Sequence, residues 1–180
     1  RPRGSTRHDQ CRHAGILVHK LFENWVRYPA LINTHISDPQ RARWRNQLQD
    51  MGVEAAELEQ GVQLIERAVS SVAQNPERLH WLFAQAHTQS AAEFRLSVQI
   101  DNQPQQIILD RTFVQDGVRY IIDYKLSEPA ADMASFVAAE TDKYRPQLHA
   151  YRQALATQET CPARLFLYFP LLDHLHEIED

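Results

Sequence analysis

The sequence is 180 residues long, 43% apolar and 23% charged, which suits one globular domain with a sizeable core, or two only if both are small. No apolar stretch approaches the ~18 residues needed to cross a bilayer. Two cysteines exclude a disulfide scaffold and a four-cysteine zinc or iron–sulfur site within this chain. The net charge of −4 argues mildly against nucleic acid, but charge is unevenly spread. Residues 1–13 carry Arg1, Arg3, Arg7 and Arg12 against Asp9, and Arg41, Arg43 and Arg45 form a second basic cluster. Asp173, Glu177, Glu179 and Asp180 make an acidic end. Such ends permit an anionic ligand, but on charge alone solvated faces and frayed ends are the better account of them. A chain that begins at Arg1, with no signal peptide, reads as a fragment of something longer, with a reducing cytoplasm as its expected compartment.

In chain order, a basic lead-in over residues 1–14 precedes a helix from Gly15 to Tyr28, where Leu17, Leu21 and Trp25 recur at helical spacing and Ile16, Phe22 and Val26 widen the stripe. Asp38-Pro39 opens a second helix to about Asp50, with Asp38 as its cap. Val53 to Ala73 reads as a third, burying Val62, Ile65, Val69 and Val72, and Asn75-Pro76 starts a short fourth. At Glu93 the period becomes two: Phe94, Leu96, Val98 and Ile100 share one face of a strand, with Glu93, Arg95, Ser97 and Gln99 on the other. Asn102-Gln103-Pro104 is a turn, Gln105 to Val114 a second strand, Gln115-Asp116-Gly117 a hairpin turn, and Val118 to Leu126 a third strand. A helix from about Asp132 to Ala156, interrupted or kinked at Pro146, leads to a last strand, Arg164 to Phe169. The expectation is one α/β domain: a mixed sheet over residues 93–170, a helical insertion over 30–90 and an acidic tail over 171–180.

Two aspartates interrupt apolar strand sequence. Asp110 follows Ile107-Ile108-Leu109, and Asp123 follows Tyr120-Ile121-Ile122. An ionised carboxylate in such a place needs a cation or a hydrogen-bond cage. Asp123 and Lys125 are two apart and so on one strand face, with Asp110 across the hairpin. Close carboxylates with hard oxygen donors suit Mg²⁺ or Mn²⁺, and a nearby lysine can orient or deprotonate water. A structural salt bridge between Asp110 and Lys125, with Asp123 capping backbone, uses the same residues.

The pieces Ile108-Leu109-Asp110-Arg111, Ile121-Ile122-Asp123-Tyr124-Lys125 and Gln147-Leu148-His149-Ala150-Tyr151, with Gly15-Ile16-Leu17-Val18-His19 upstream, resemble the RecB-like branch of the PD-(D/E)XK nuclease superfamily. The element order is that superfamily's helix-strand-strand-strand-helix-strand core, a restriction-endonuclease-like fold. The resemblance implies a Mg²⁺-dependent DNA nuclease, with Mn²⁺ as substitute. His19, Asp110, Asp123 and the Tyr124 carbonyl would be the metal ligands, and Asp110, Asp123 and Lys125 the catalytic set. Gln147 and Tyr151 would line the DNA side, and Arg111 would structure the site or meet a phosphate. Glu93 falls where the family often has a glutamate near the metal, and equally where a solvated strand-end charge would sit. His19 and Tyr151 also fit as core residues.

Ile107 and Leu126 stand where the family usually has Gly and often has Thr, which puts substrate approach in question more than metal binding. Without an iron–sulfur cysteine cluster, the chain looks most like the nuclease domain fused behind UvrD/AddA-type helicases. Its implied partners are DNA and the helicase domains of the same parent chain, with no membrane. The resemblance therefore implies DNA end processing or recombinational repair. A module that binds DNA or a helicase partner without cutting is the rival reading.

Overall fold

The computed structural model describes residues 7–129 and 132–180, side chains included except at 7–10 and Ile100. Arg1 and Arg3 of the basic lead-in lie outside the described residues. The elements are α1 (Arg7–Arg27), α2 (Asp38–Asp50), α3 (Leu58–Ala73), α4 (Pro76–Leu79), β1 (Thr88–Ile100), β2 (Gln103–Gln115), β3 (Val118–Tyr124), α5 (Met133–Ala156), β4 (Ala163–Phe169) and β5 (His174–Ile178). The chain forms two compact units. The first comprises 7–84, 125–127 and 169–174; the second comprises 85–124, 128–129, 132–168 and 175–180.

The first unit is helical. Ala14, Leu17, Val18, Phe22 and Trp25 of α1 are buried, while Ile16, expected on the same stripe, is 49% exposed. Phe22, Trp25 and Phe83 form an aromatic cluster with ring centroids 4.6–5.3 Å apart. Helix α1 begins at Arg7, so the lead-in expected over residues 1–14 is partly helix. Helix α2 is capped by Ser37, whose hydroxyl accepts from the Gln40 N–H; Asp38, expected to cap it, is already inside. The α3 stripe of Val62, Ile65, Val69 and Val72 is buried as its spacing predicts. Segment 169–174 belongs to this unit: the Ser71 hydroxyl donates to the Leu171 carbonyl at 3.1 Å, and Asn75 Nδ2 donates to Asp173 Oδ2 at 2.9 Å.

The second unit holds a mixed five-stranded sheet in the order β1-β2-β3-β4-β5. β1–β2 and β2–β3 are antiparallel hairpins, and β3–β4 are parallel, the pairing that needs the α5 crossover. Both hairpins close on two residues of positive φ, Asp101-Asn102 and Asp116-Gly117. The first turn therefore lies one position earlier than Asn102-Gln103-Pro104. β1 starts at Thr88, inside the span expected as helical insertion. Helix α5 runs through Pro146 without a break and is capped by Asp132, which accepts from the Ser135 N–H at 2.9 Å.

The acidic end is not a tail. Residues 174–178 form the fifth strand, and Glu177 accepts two bonds from Arg164 at 2.8 and 2.7 Å. Asp180 pairs with Arg152 at 2.6 Å, and the Glu179 carbonyl accepts from Arg145. Among the described residues no helix is long and apolar enough to cross a membrane.

Candidate active site

The site is built by strand register. The pairs Ala92↔Arg111 and Phe94↔Leu109 set Glu93 across from Asp110. The last β2–β3 pair is Arg111↔Ile122, so the next positions along those strands are Asp110 and Asp123. The Tyr124 N–H donates to Asp110 Oδ2 at 2.8 Å, closing the end of the hairpin. Residues opposite one another share a sheet face. Glu93, Asp110 and Asp123 thus form a row across three neighbouring strands. Asp123 is only 5% exposed.

Glu93 takes this place at φ +49, in the left-handed region that non-glycine residues rarely adopt. The row imposes its field on its neighbours. The Tyr124 phenol is raised far above its usual range, first by burial, with Asp110, Glu93 and Asp123 adding to the shift and Arg111 opposing it. The Tyr151 phenol on α5 is likewise raised, first by burial and then by the charges of Asp123 and Asp110. Gln147 Nε2 donates to the Tyr151 hydroxyl at 2.5 Å, so these two share a helix face as their spacing predicts. Gln147 is exposed whereas Tyr151 is 7% exposed.

Arg111 lies on the opposite sheet face from Asp110. Successive strand residues alternate faces, so it points away from the Asp110 side, and it is fully buried. Its guanidinium donates to the Ser90 hydroxyl at 2.7 Å and to the carbonyls of Ala91 and Thr112 at 3.1 and 3.2 Å. It also lies over the Phe113 ring at 4.8 Å, and burial lowers its pKa. These bonds tie β1 to β2, in line with the structuring alternative of the expectation.

His19 and Lys125 belong to the first unit. His19 Nδ1 lies 2.7 Å from the Gly15 carbonyl, which can only accept. Nδ1 is therefore the donor in this contact, and in the neutral ring the lone pair falls on Nε2. Strand β3 ends at Tyr124, two residues short of the expected Leu126, so Lys125 opens the following loop rather than extending the strand face.

Within the second unit, the carboxylates of Glu93, Asp110 and Asp123 and the Tyr124 carbonyl are hard oxygen donors of the kind a divalent cation takes. Among the described residues no three His, Cys, Asp or Glu side chains gather closely enough to hold a metal ion, so register aligns the acids without closing them around a point.

The sequence profile of the PD-(D/E)XK nuclease superfamily matches residues 2–177. The chain belongs to that superfamily, and its mixed sheet with flanking helices is the α/β architecture expected of it. No curated protein matches. Among solved structures, the crystal structure of SSO0001 is similar at 12% identity and a TM-score of 0.37, over 92% of this chain and 79% of that one.

Proposed function

We propose that this chain is a Mg²⁺-dependent deoxyribonuclease of the RecB-like branch, with Mn²⁺ as a working substitute. The observation that carries the reading is the carboxylate row Glu93–Asp110–Asp123, with the Tyr124 N–H bonded to Asp110. Paired carboxylates set by register at the open end of a hairpin serve a dication better than they serve folding. The carboxylates of Asp110 and Asp123, the Tyr124 carbonyl and His19 Nε2 would hold the metal, with Glu93 a further oxygen donor.

When bound, the cation supplies Lewis-acid stabilisation of charge developing on the phosphoryl oxygens. Lys125 orients the attacking water and holds positive charge toward the phosphate. Gln147 contacts the strand, supported by Tyr151. The parent chain we infer is a helicase–nuclease in DNA end processing or recombinational repair, in which UvrD/AddA-type helicase domains deliver DNA to this module.

The test is cleavage of labelled linear single- and double-stranded DNA with Mg²⁺ or Mn²⁺, comparing this chain with Asp123→Ala. Cleavage should need the metal and fall by about 10³-fold or more in the variant. Activity that persists in excess EDTA overturns the mechanism. A folded chain that binds DNA but neither cuts it nor binds metal supports the non-catalytic module instead.

A further inference from the structure

The β1–β2 hairpin outruns the rest of the sheet. β1 is an edge strand, and the β2–β3 ladder stops at Arg111↔Ile122. Residues 94–100 and 103–109 therefore pair only with each other, from Phe94↔Leu109 out to Ile100↔Gln103. The result is a two-stranded ribbon rooted at the carboxylate row.

Its two faces differ. The face that carries Phe94, Leu96, Val98, Ile107 and Leu109 is apolar, with Leu96, Ile107 and Leu109 buried. The other face continues the side of Glu93 and Asp110 and carries Arg95, Ser97, Gln99 and Gln106, all exposed. Beyond Glu93 and Asp110 this face has no acid. It presents one cation and three neutral hydrogen-bonding side chains, with Ile108 opposite Arg95 and Pro104 opposite Gln99 as its apolar members.

Arg95 differs from the other arginines of its unit. Arg119 holds Glu159, Arg164 holds Glu177, Arg152 holds Asp180, Arg145 holds the Glu179 carbonyl, and Arg111 is buried. Arg95 is exposed and makes no ion pair among the described residues. An arginine without a protein counter-ion, beside amide and hydroxyl groups, matches the chemistry of a sugar–phosphate backbone: charge for the phosphates, hydrogen bonds for phosphate and sugar oxygens.

We infer that the polar face of this ribbon is a DNA-backbone track that holds the strand flanking the bond to be cut. The inference rests on the nuclease reading and extends it: the acids act on one phosphate, while Arg95, Ser97, Gln99 and Gln106 position its neighbours. At ~3.4 Å per residue, the seven positions from 94 to 100 run roughly 24 Å along the ribbon.

The experiment measures binding of a fluorescein-labelled single-stranded deoxyoligonucleotide by anisotropy across a salt series. Ca²⁺ replaces Mg²⁺, and cleavage kinetics are measured separately in Mg²⁺. Arg95→Glu should weaken binding about tenfold and lower the salt slope by about one, with Arg95→Lys close to wild type. In cleavage it should raise KM and leave kcat at saturating DNA unchanged.

A gain of function removes dependence on any loss of fold. Gln106→Lys, on the polar face, should tighten binding about threefold or more, while Gln105→Lys, its exposed neighbour on the opposite face, should not. Equal effects of the two lysines overturn the ribbon assignment, as does unchanged binding by Arg95→Glu when the wild-type chain binds and cuts DNA. A wild-type chain that neither binds nor cuts DNA brings down the nuclease reading first, and the track with it.

Discussion

Glu93 holds a left-handed backbone in the middle of a strand, at φ +49, beside a second such residue, Gln89, at φ +46. The register of β1 shifts between Thr88 and Ala91, so this end of the edge strand is bulged, a device that re-aims side chains next to working sites. Glycine would occupy position 93 without strain. Glu93→Gly is therefore expected to raise stability by about 1 kcal/mol while lowering metal-dependent cleavage about tenfold or more. Urea denaturation and the DNA cleavage assay check the two arms, and a variant that loses both stability and activity sinks the argument.

Asp110 and Asp123 were legible in the sequence because charge inside an apolar strand is conspicuous. The role of Arg111 was not, because a cation beside an aspartate reads the same whether it faces solvent or is sealed beneath a strand. Only alternation along β2, with Ser90 and Ala91 opposite, decides that. Arg95 was read as an ordinary polar-face residue, since nothing local in sequence reveals which arginines find an acid in space.

Among the elements, those with a clear period or turn chemistry were readable. The α3 stripe, the Asp116-Gly117 turn and the alternation that gives β1 were all visible. β5 was not, because His174, His176, Glu177 and Glu179 look like solvated tail until Arg164 and Arg152 are brought alongside. The start of β1 was missed for a different reason: Thr88 to Ala92 has no alternating apolar residues, and its pairing with β2 alone makes it strand.

The link between the β3 start and the end of α5 is also tertiary. Arg119, 5% exposed, holds Glu159 through two bonds of 2.7 and 2.5 Å. Those hydrogen bonds hold the Glu159 carboxyl below its ordinary 4.5. A depressed carboxylate stabilises the fold above its unfolded pKa, and that contribution is lost as pH falls from about 4.5 through the lower folded value. Glu159→Gln should thus be less stable than wild type at neutral pH, with the gap closing as the pH is taken below about 4. A gap that is constant from neutral to acid pH, in thermal denaturation, contradicts this assignment.

On the scale of the whole molecule, the nuclease reading ties metal to stability. A cation that binds the folded acids but not the unfolded chain, in several-fold excess over its Kd, stabilises by about 1 kcal/mol. For a chain of this size that corresponds to ~2–4 °C in Tm. Mg²⁺ should give such a shift with the wild-type chain, and Asp123→Ala should abolish it. An equal shift in both, by scanning calorimetry, places the metal elsewhere. The helical composition of the first half and the sheet of the second were both visible in the residue pattern, whereas the division into two units was not. Short returns such as 125–127 and 169–174 carry no signal of which body they join.

Those returns have a consequence for how this protein can be taken apart. The chain enters the first unit over 7–84, leaves it, and comes back at 125–127 and again at 169–174, where Leu171 and Asp173 bond to Ser71 and Asn75. Modules joined end to end can be separated by one cut in a gene, as happens when domains are shuffled between parents. Here a stop codon after residue 84 would strip the helical unit of the segment that Ser71 and Asn75 hold, and a start codon there would leave the sheet with stretches foreign to it. Neither unit has a contiguous reading frame of its own, so the two are inherited, expressed and lost together.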